Sequence, residues 1–163
     1  MKIRIFLLLL LSFLVTGIGA KDVVGWVEHV DIYNDGEKIL LKAKIDTGAK
    51  TTSIHSDSYH TVKKDGKNWV KFKIVNHMGD IMELEKPVIR FVEIRRHFGR
   101  KQVRPVVLLG LCLGNTYQIT EVNLVDRSGF NYRLLVGREF LKNNTLVDSS
   151  ETYTKEPSCV RVN

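Results

Sequence analysis

Apolar and polar positions along this chain follow a period of two far more often than a helical period. Trp69-Val70-Lys71-Phe72-Lys73-Ile74-Val75 is the clearest case, with Lys71 and Lys73 on a wet face and Val70, Phe72 and Ile74 on the other. Similar short runs cover residues 23–30, 38–45, 81–84, 87–94, 102–113, 116–125, 132–136 and 146–148. Turn signals separate them: Asn34-Asp35-Gly36, Asp65-Gly66, Asn76-His77-Met78-Gly79-Asp80, Gly114-Asn115 and Asp126-Arg127-Ser128-Gly129. Only residues 137–142 suggest a helix, and a short one. The pattern predicts an all-β barrel or sandwich with at most one short helix. The segment containing His55 and His60 reads as loop, and the polar residues 149–163 read as a loose tail.

The start of the chain departs from this pattern. Met1-Lys2-Ile3-Arg4 precedes an apolar run over residues 5–15, and small residues lead up to Lys21. This reads as a secretory signal peptide over residues 1–20, cleaved after Ala20 or Gly19; an uncleaved anchor is the alternative. The expected organisation is a leader, one domain over residues 21–148 and a tail. The folded part is then expected in the periplasm, with an inner-membrane protein as a candidate partner.

With 25 basic and 18 acidic side chains the chain carries +7, and removing Lys2 and Arg4 leaves +5. That charge favours an acidic partner. No RNA-binding aromatic motif, zinc finger or basic helix accompanies it, so nucleic acid is not the expected partner. Cys112 and Cys159 form either one disulfide or two separate thiols.

The candidate chemistry sits at Ile45-Asp46-Thr47-Gly48-Ala49. An apolar strand ends on a carboxylate, followed by a hydroxyl and a glycine. Two such carboxylates held together activate a water between them, one as base and one as acid. A chain with a single Asp-Thr-Gly builds that dyad only across a two-fold axis, so a homodimer is expected. Thr47 is expected to hydrogen-bond across the axis, Gly48 to allow close backbone approach, and Ser53 to donate from behind. The apolar strand Leu134-Leu135-Val136-Gly137-Arg138 is the expected support for the turn.

These motifs, with Gly25-Trp26-Val27-Glu28, Trp69-Val70-Lys71-Phe72, Arg104-Pro105-Val106-Val107, Asn123-Leu124-Val125-Asp126-Arg127 and Val147-Asp148, occur in order over nearly the whole chain after the leader. Together they resemble the retropepsin-like RimB-type proteins, a family that also carries the label ATP-dependent zinc protease. The resemblance implies a closed acid-protease-like barrel and aspartic peptidase chemistry without a cofactor. Some members are thought to trim glutamate tails in the cytoplasm, and the leader sets this chain apart from them.

On this reading Asp46, Thr47 and Gly48 are catalytic, and Ala49, Ser53, His55, Arg104, Gly137 and Arg138 face the substrate. The basic residues Arg90, Arg95, Arg96, Arg100, Lys101 and Arg104 point to a peptide or glutamate-rich substrate if they face the cleft. Asp126 and Arg127 read as an ion pair or turn cap. A lid is expected at the turn around Asn76–Gly79 or at Asp65-Gly66. Two rival readings remain: a non-catalytic module binding an acidic partner, and a zinc site on His55 and His60. The chain has no His-Glu-x-x-His to support the second.

Overall fold

The computed structural model describes residues 21–94 and 101–160. The expected leader and Arg95, Arg96 and Arg100 lie outside them. Among the described residues no helix is long and apolar enough to cross a membrane.

Eleven strands and one short helix make up the described chain. Strand β1 (Asp22–Asn34) turns through Asp35-Gly36 into β2 (Glu37–Ile45), which ends at Asp46. Asp35 and Gly36 both take positive φ, 45° and 98°, as a tight hairpin of this twist requires. Next come β3 (Thr52–His55), β4 (Tyr59–Lys64), β5 (Lys67–Val75) and β6 (Ile81–Pro87). Then follow β7 (Arg90–Ile94), β8 (Gln102–Leu113), β9 (Thr116–Val125) and β10 (Leu134–Val136). Helix α1 (Arg138–Leu141) and β11 (Thr145–Thr152) complete the chain.

Six strands close a ring. β1 pairs β2, β2 pairs β10, β10 pairs β3, β3 pairs β9, β9 pairs β8, and β8 returns to β1. β7 and β11 extend this sheet beyond the ring. The fold is therefore nearly all β, as the alternation predicts, with one four-residue helix. A second sheet of β4, β5 and β6 stands apart from the ring, which the expectation of one barrel did not include. Its inner residues Val70, Phe72, Ile74, Met82 and Leu84 join the same apolar core as Ile32, Leu41, Val107, Leu109 and Leu124.

Two regions depart from the sequence reading. The segment read as loop holds β3 and β4, so His55 and His60 both lie in strands. β3 is buried at every position, which removes the alternation that would have revealed it. The expected loose tail is fixed: β11 runs to Thr152 alongside β1, and Cys112 and Cys159 form a disulfide.

A buried carboxylate explains how the tail docks. Glu28 is 0% exposed and accepts hydrogen bonds from Gly25 N at 2.6 Å, Thr154 N at 3.0 Å, Thr154 Oγ1 at 2.5 Å and Lys155 N at 3.3 Å. Three of these four donors come from the tail. A carboxylate sealed from water needs such donors, so the strap belongs to the core. The bond from Cys112 to Cys159 closes a 47-residue separation, an entropic constraint worth about 4 kcal/mol. Replacing both cysteines with serine is expected to lower the unfolding free energy by that order. Urea denaturation of the variant against the oxidised protein measures it.

Candidate active site

Asp46 leaves the end of β2 where that strand lies parallel to β10. Its backbone N–H donates to the Val136 carbonyl at 2.9 Å, which extends the ladder by one bond. The carboxylate turns back over its own loop. Oδ1 accepts from Gly48 N at 2.9 Å and Ala49 N at 3.3 Å, while Oδ2 lies 3.6 Å from Lys44 Nζ. Half of the carboxylate is thus held by backbone and half faces outward, and the side chain is 23% exposed. A Cβ on Gly48 would lie 3.1 Å from Asp46 Oδ1, so a larger residue there would press the carboxylate back by a few tenths of an ångström.

The support beneath the turn is the strand end at Gly137. A Cβ on Gly137 would meet the Thr51 carbonyl carbon at 2.6 Å and its oxygen at 2.7 Å. Only glycine lets these two backbones cross. The crossing is then pinned by hydrogen bonds. Gly137 N donates to Thr52 Oγ1 at 3.2 Å, Arg138 N to Ala49 O at 2.9 Å and Glu139 N to Lys50 O at 3.0 Å. Arg138 adds two more, from Nη1 to the Thr47 and Gly48 carbonyls, each at 2.8 Å. Arg138, expected to face substrate, braces the turn with this nitrogen and is itself exposed.

A polar layer lies behind β3. His55 is 4% exposed and both ring nitrogens are engaged: Nδ1 accepts from Arg127 N at 2.8 Å, so Nε2 carries the proton toward Asp57 Oδ1 at 2.7 Å. His55 is therefore a buried brace and not a pocket residue, and neither nitrogen is free for a metal. His60 lies exposed on β4. Among the described residues no three His, Cys, Asp or Glu side chains group to hold a metal ion.

Arg127 turns inward instead of pairing with Asp126. It is 7% exposed, and it donates from Nη1 to Ser53 Oγ at 3.2 Å and from Nε to Tyr132 O at 3.0 Å. Its guanidinium also lies 4.7 Å over the Phe130 ring. Ser53, the expected donor, accepts here. Burial is the main cause that lowers the Arg127 proton affinity; like charge on Arg104 adds to it, and the Asp46 carboxylate opposes it. Arg127 therefore lies within electrostatic reach of Asp46. Asp126 caps its own turn, where hydrogen bonds from Ser128 hold its carboxyl below the usual carboxylate range.

Arg104 donates to Gln102 Oε1 from Nε at 3.1 Å and Nη2 at 2.8 Å, and to Asn123 Oδ1 from Nη1 at 3.1 Å. Asn123 in turn donates to Thr52 O at 2.7 Å and Thr51 Oγ1 at 3.4 Å, which ties Arg104 to the residues above Gly137. The rest of the described basic segment is occupied elsewhere. Arg90 pairs with Glu121 and Lys101 with Glu93. The Asn76–Asp80 turn, expected as a lid, lines a groove with Ile39 and Leu40 near the start of β2, so it does not cover Asp46. Nothing local marks Asn123, and Arg127 reads in the sequence only as an ion-pair partner or turn cap with Asp126, although both stand in the Asn123-Leu124-Val125-Asp126-Arg127 motif.

A closed ring of short strands carrying a glycine-supported Asp-Thr-Gly turn defines a retropepsin-like domain. The chain belongs to the RimB-like family, described as retropepsin-like aspartic endopeptidase RimB, whose model matches residues 23–158. It is similar to a probable alpha-L-glutamate ligase of Shewanella pealeana, 35% identical over 69% of this chain and 25% of that protein. A probable alpha-L-glutamate ligase of Desulfotalea psychrophila is 32% identical over 79% of this chain and 28% of that protein. The chain thus spans about a quarter of the length of the curated relatives it matches. Among solved structures, the Legionella pneumophila protein Lpg0085, of unknown function, superposes with a TM-score of 0.69 at 32% identity. That match covers 83% of this chain and 98% of the Legionella chain.

Gly137→Ala is expected to lose about 3 kcal/mol or more, because the methyl group must displace backbone. Gly129→Ala, with nothing within 4 Å of its Cβ, is the neutral control. Thermal unfolding of the two variants side by side makes the comparison.

Proposed function

We propose that this protein is a periplasmic aspartic peptidase that works as a homodimer, with Asp46 of each copy forming the catalytic dyad. The observation that carries the reading is the Asp46 carboxylate itself, with Oδ1 fixed by two backbone N–H groups and Oδ2 directed outward. Such a group is pre-positioned for a second carboxyl and a water. Two carboxyls in contact share one proton. The ionised one takes a proton from the water as the water oxygen bonds to the scissile carbonyl carbon, and the protonated one donates to the carbonyl oxygen, giving a tetrahedral diol. Proton transfer to the amide nitrogen then completes cleavage of the C–N bond. Thr47 and Gly48 form the turn that each copy presents to its twin.

An acidic peptide or glutamate-type amide suits the surrounding charge. Arg104 and Arg127 lie behind the turn and Lys44 beside it. The relatives' name, glutamate ligase, joins a domain of this type to glutamate addition, and a peptidase acting on the same bond class is its chemical reverse. The Cys112–Cys159 bond supports an oxidising compartment.

One observation favours a second reading, a non-catalytic module that binds an acidic partner. Lys44 Nζ at 3.6 Å already answers the outward oxygen of Asp46. In that case the protein stays monomeric and Lys44 keeps this role.

Asp46→Asn is expected to keep the fold and abolish hydrolysis of a glutamate-rich peptide, followed by mass spectrometry of the products. Light scattering on the wild-type protein is expected to give a dimer. A monomer with no cleavage of any glutamate-rich peptide supports the binding module instead.

A further inference from the structure

A groove of about 730 Å³ lies at the opposite end of β2 from Asp46. Three separate segments wall it: the β1–β2 hairpin, the turn between β5 and β6, and the C-terminal strap. We propose that this groove is a second binding site, for a cationic peptide segment carrying one or two apolar side chains.

Charge is the first argument. The lining holds four carboxylates, Asp31, Glu37, Asp80 and Glu156, against one ammonium, Lys38. Lys38 is consumed by Asp31, its Nζ lying 2.7 Å from Oδ2, and that carboxylate raises the Lys38 proton affinity. The other three carboxylates line the groove on a chain whose net charge is +7; Glu156 meets His29 Nδ1 at 2.7 Å, Asp80 accepts from Asn76 Nδ2 at 2.8 Å, and neither contact is with a lysine or arginine. A local field opposite in sign to the whole molecule attracts a ligand that the rest of the surface repels. The acids come from three segments and form no compact ligand set, so the fit is to cations spread along an extended chain.

The apolar lining is the second argument. Met78 and Ile81 stand 63% and 60% exposed at the end of the β5–β6 hairpin, directly on the groove. An unbranched thioether adapts to different apolar side chains at little cost. Acidic walls with an adaptable apolar floor suit a basic, amphipathic segment.

The third wall is held in advance. Glu156 Oε1 lies 2.7 Å from His29 Nδ1, and Ser158 N donates to Gly114 O at 2.8 Å. The disulfide follows at Cys159, two residues beyond Pro157. The strap need not be ordered when a ligand arrives, which lowers the cost of binding.

The inference stands apart from the peptidase reading, and one experiment separates them. A fluorescein-labelled peptide of alternating lysine and leucine, and its glutamate–leucine counterpart, are titrated with the oxidised protein and followed by anisotropy. The lysine peptide is expected to bind, and more weakly as salt rises. Glu37→Gln with Asp80→Asn is expected to weaken it about tenfold, and Met78→Ser severalfold, with glutamate-peptide hydrolysis unchanged. Asp46→Asn is expected to bind the lysine peptide like the wild type. The proposal is overturned if the lysine peptide does not bind, if the glutamate peptide displaces it as well as unlabelled lysine peptide does, or if neither groove variant changes its affinity.

Discussion

The structure depends on one steric constraint, the crossing of two backbones at Gly137. There β10 gives way to α1 directly against the backbone of Lys50 and Thr51, at a distance no side chain permits. Everything around Asp46 follows from this contact. The Val136 carbonyl receives the Asp46 N–H, and the N–H groups of Arg138 and Glu139 reach the Ala49 and Lys50 carbonyls. The loop is thereby bonded at its start, middle and end. A carboxylate on such a loop loses little freedom when a second group approaches it, which is what preorganisation means in physical terms.

The polar layer behind the turn serves the same end. His55, Arg127, Ser53 and Asn123 are all buried, and each has named partners. In a medium of low dielectric a half-satisfied network would cost more than an apolar one. A buried guanidinium bonded to a hydroxyl and a carbonyl, and lying over an aromatic ring, keeps its charge largely uncancelled by its nearest contacts. The molecule is thus polarised along β2, with guanidinium groups near Asp46 and carboxylates at the other end.

Much of this was readable from the chain. Strict alternation identified β5, and Asp-Gly turns placed the hairpins, because side-chain direction and backbone handedness are local properties. Asp46 and Gly137 were legible because their motifs combine residue types with little freedom to vary. What failed was non-local. β3 has no wet face, so its buried run mimicked a loop. Arg127 follows an aspartate and reads as its ion-pair partner or as part of a turn cap, yet its long side chain turns inward to Ser53, 74 residues earlier. The strap looked polar and therefore loose. Its order comes from Glu28, a charged residue whose burial no local pattern announces.

That last feature couples the start of the fold to its end. Thr154 and Lys155 follow every strand among the described residues, and so does Cys159. Removing Thr154 and Lys155 would take away three of the four donors to the Glu28 carboxylate and leave only the Gly25 N–H. The carboxylate would then need water in place of the lost donors. Glu28 thus ties the stability of the ring to residues more than a hundred positions further along the chain.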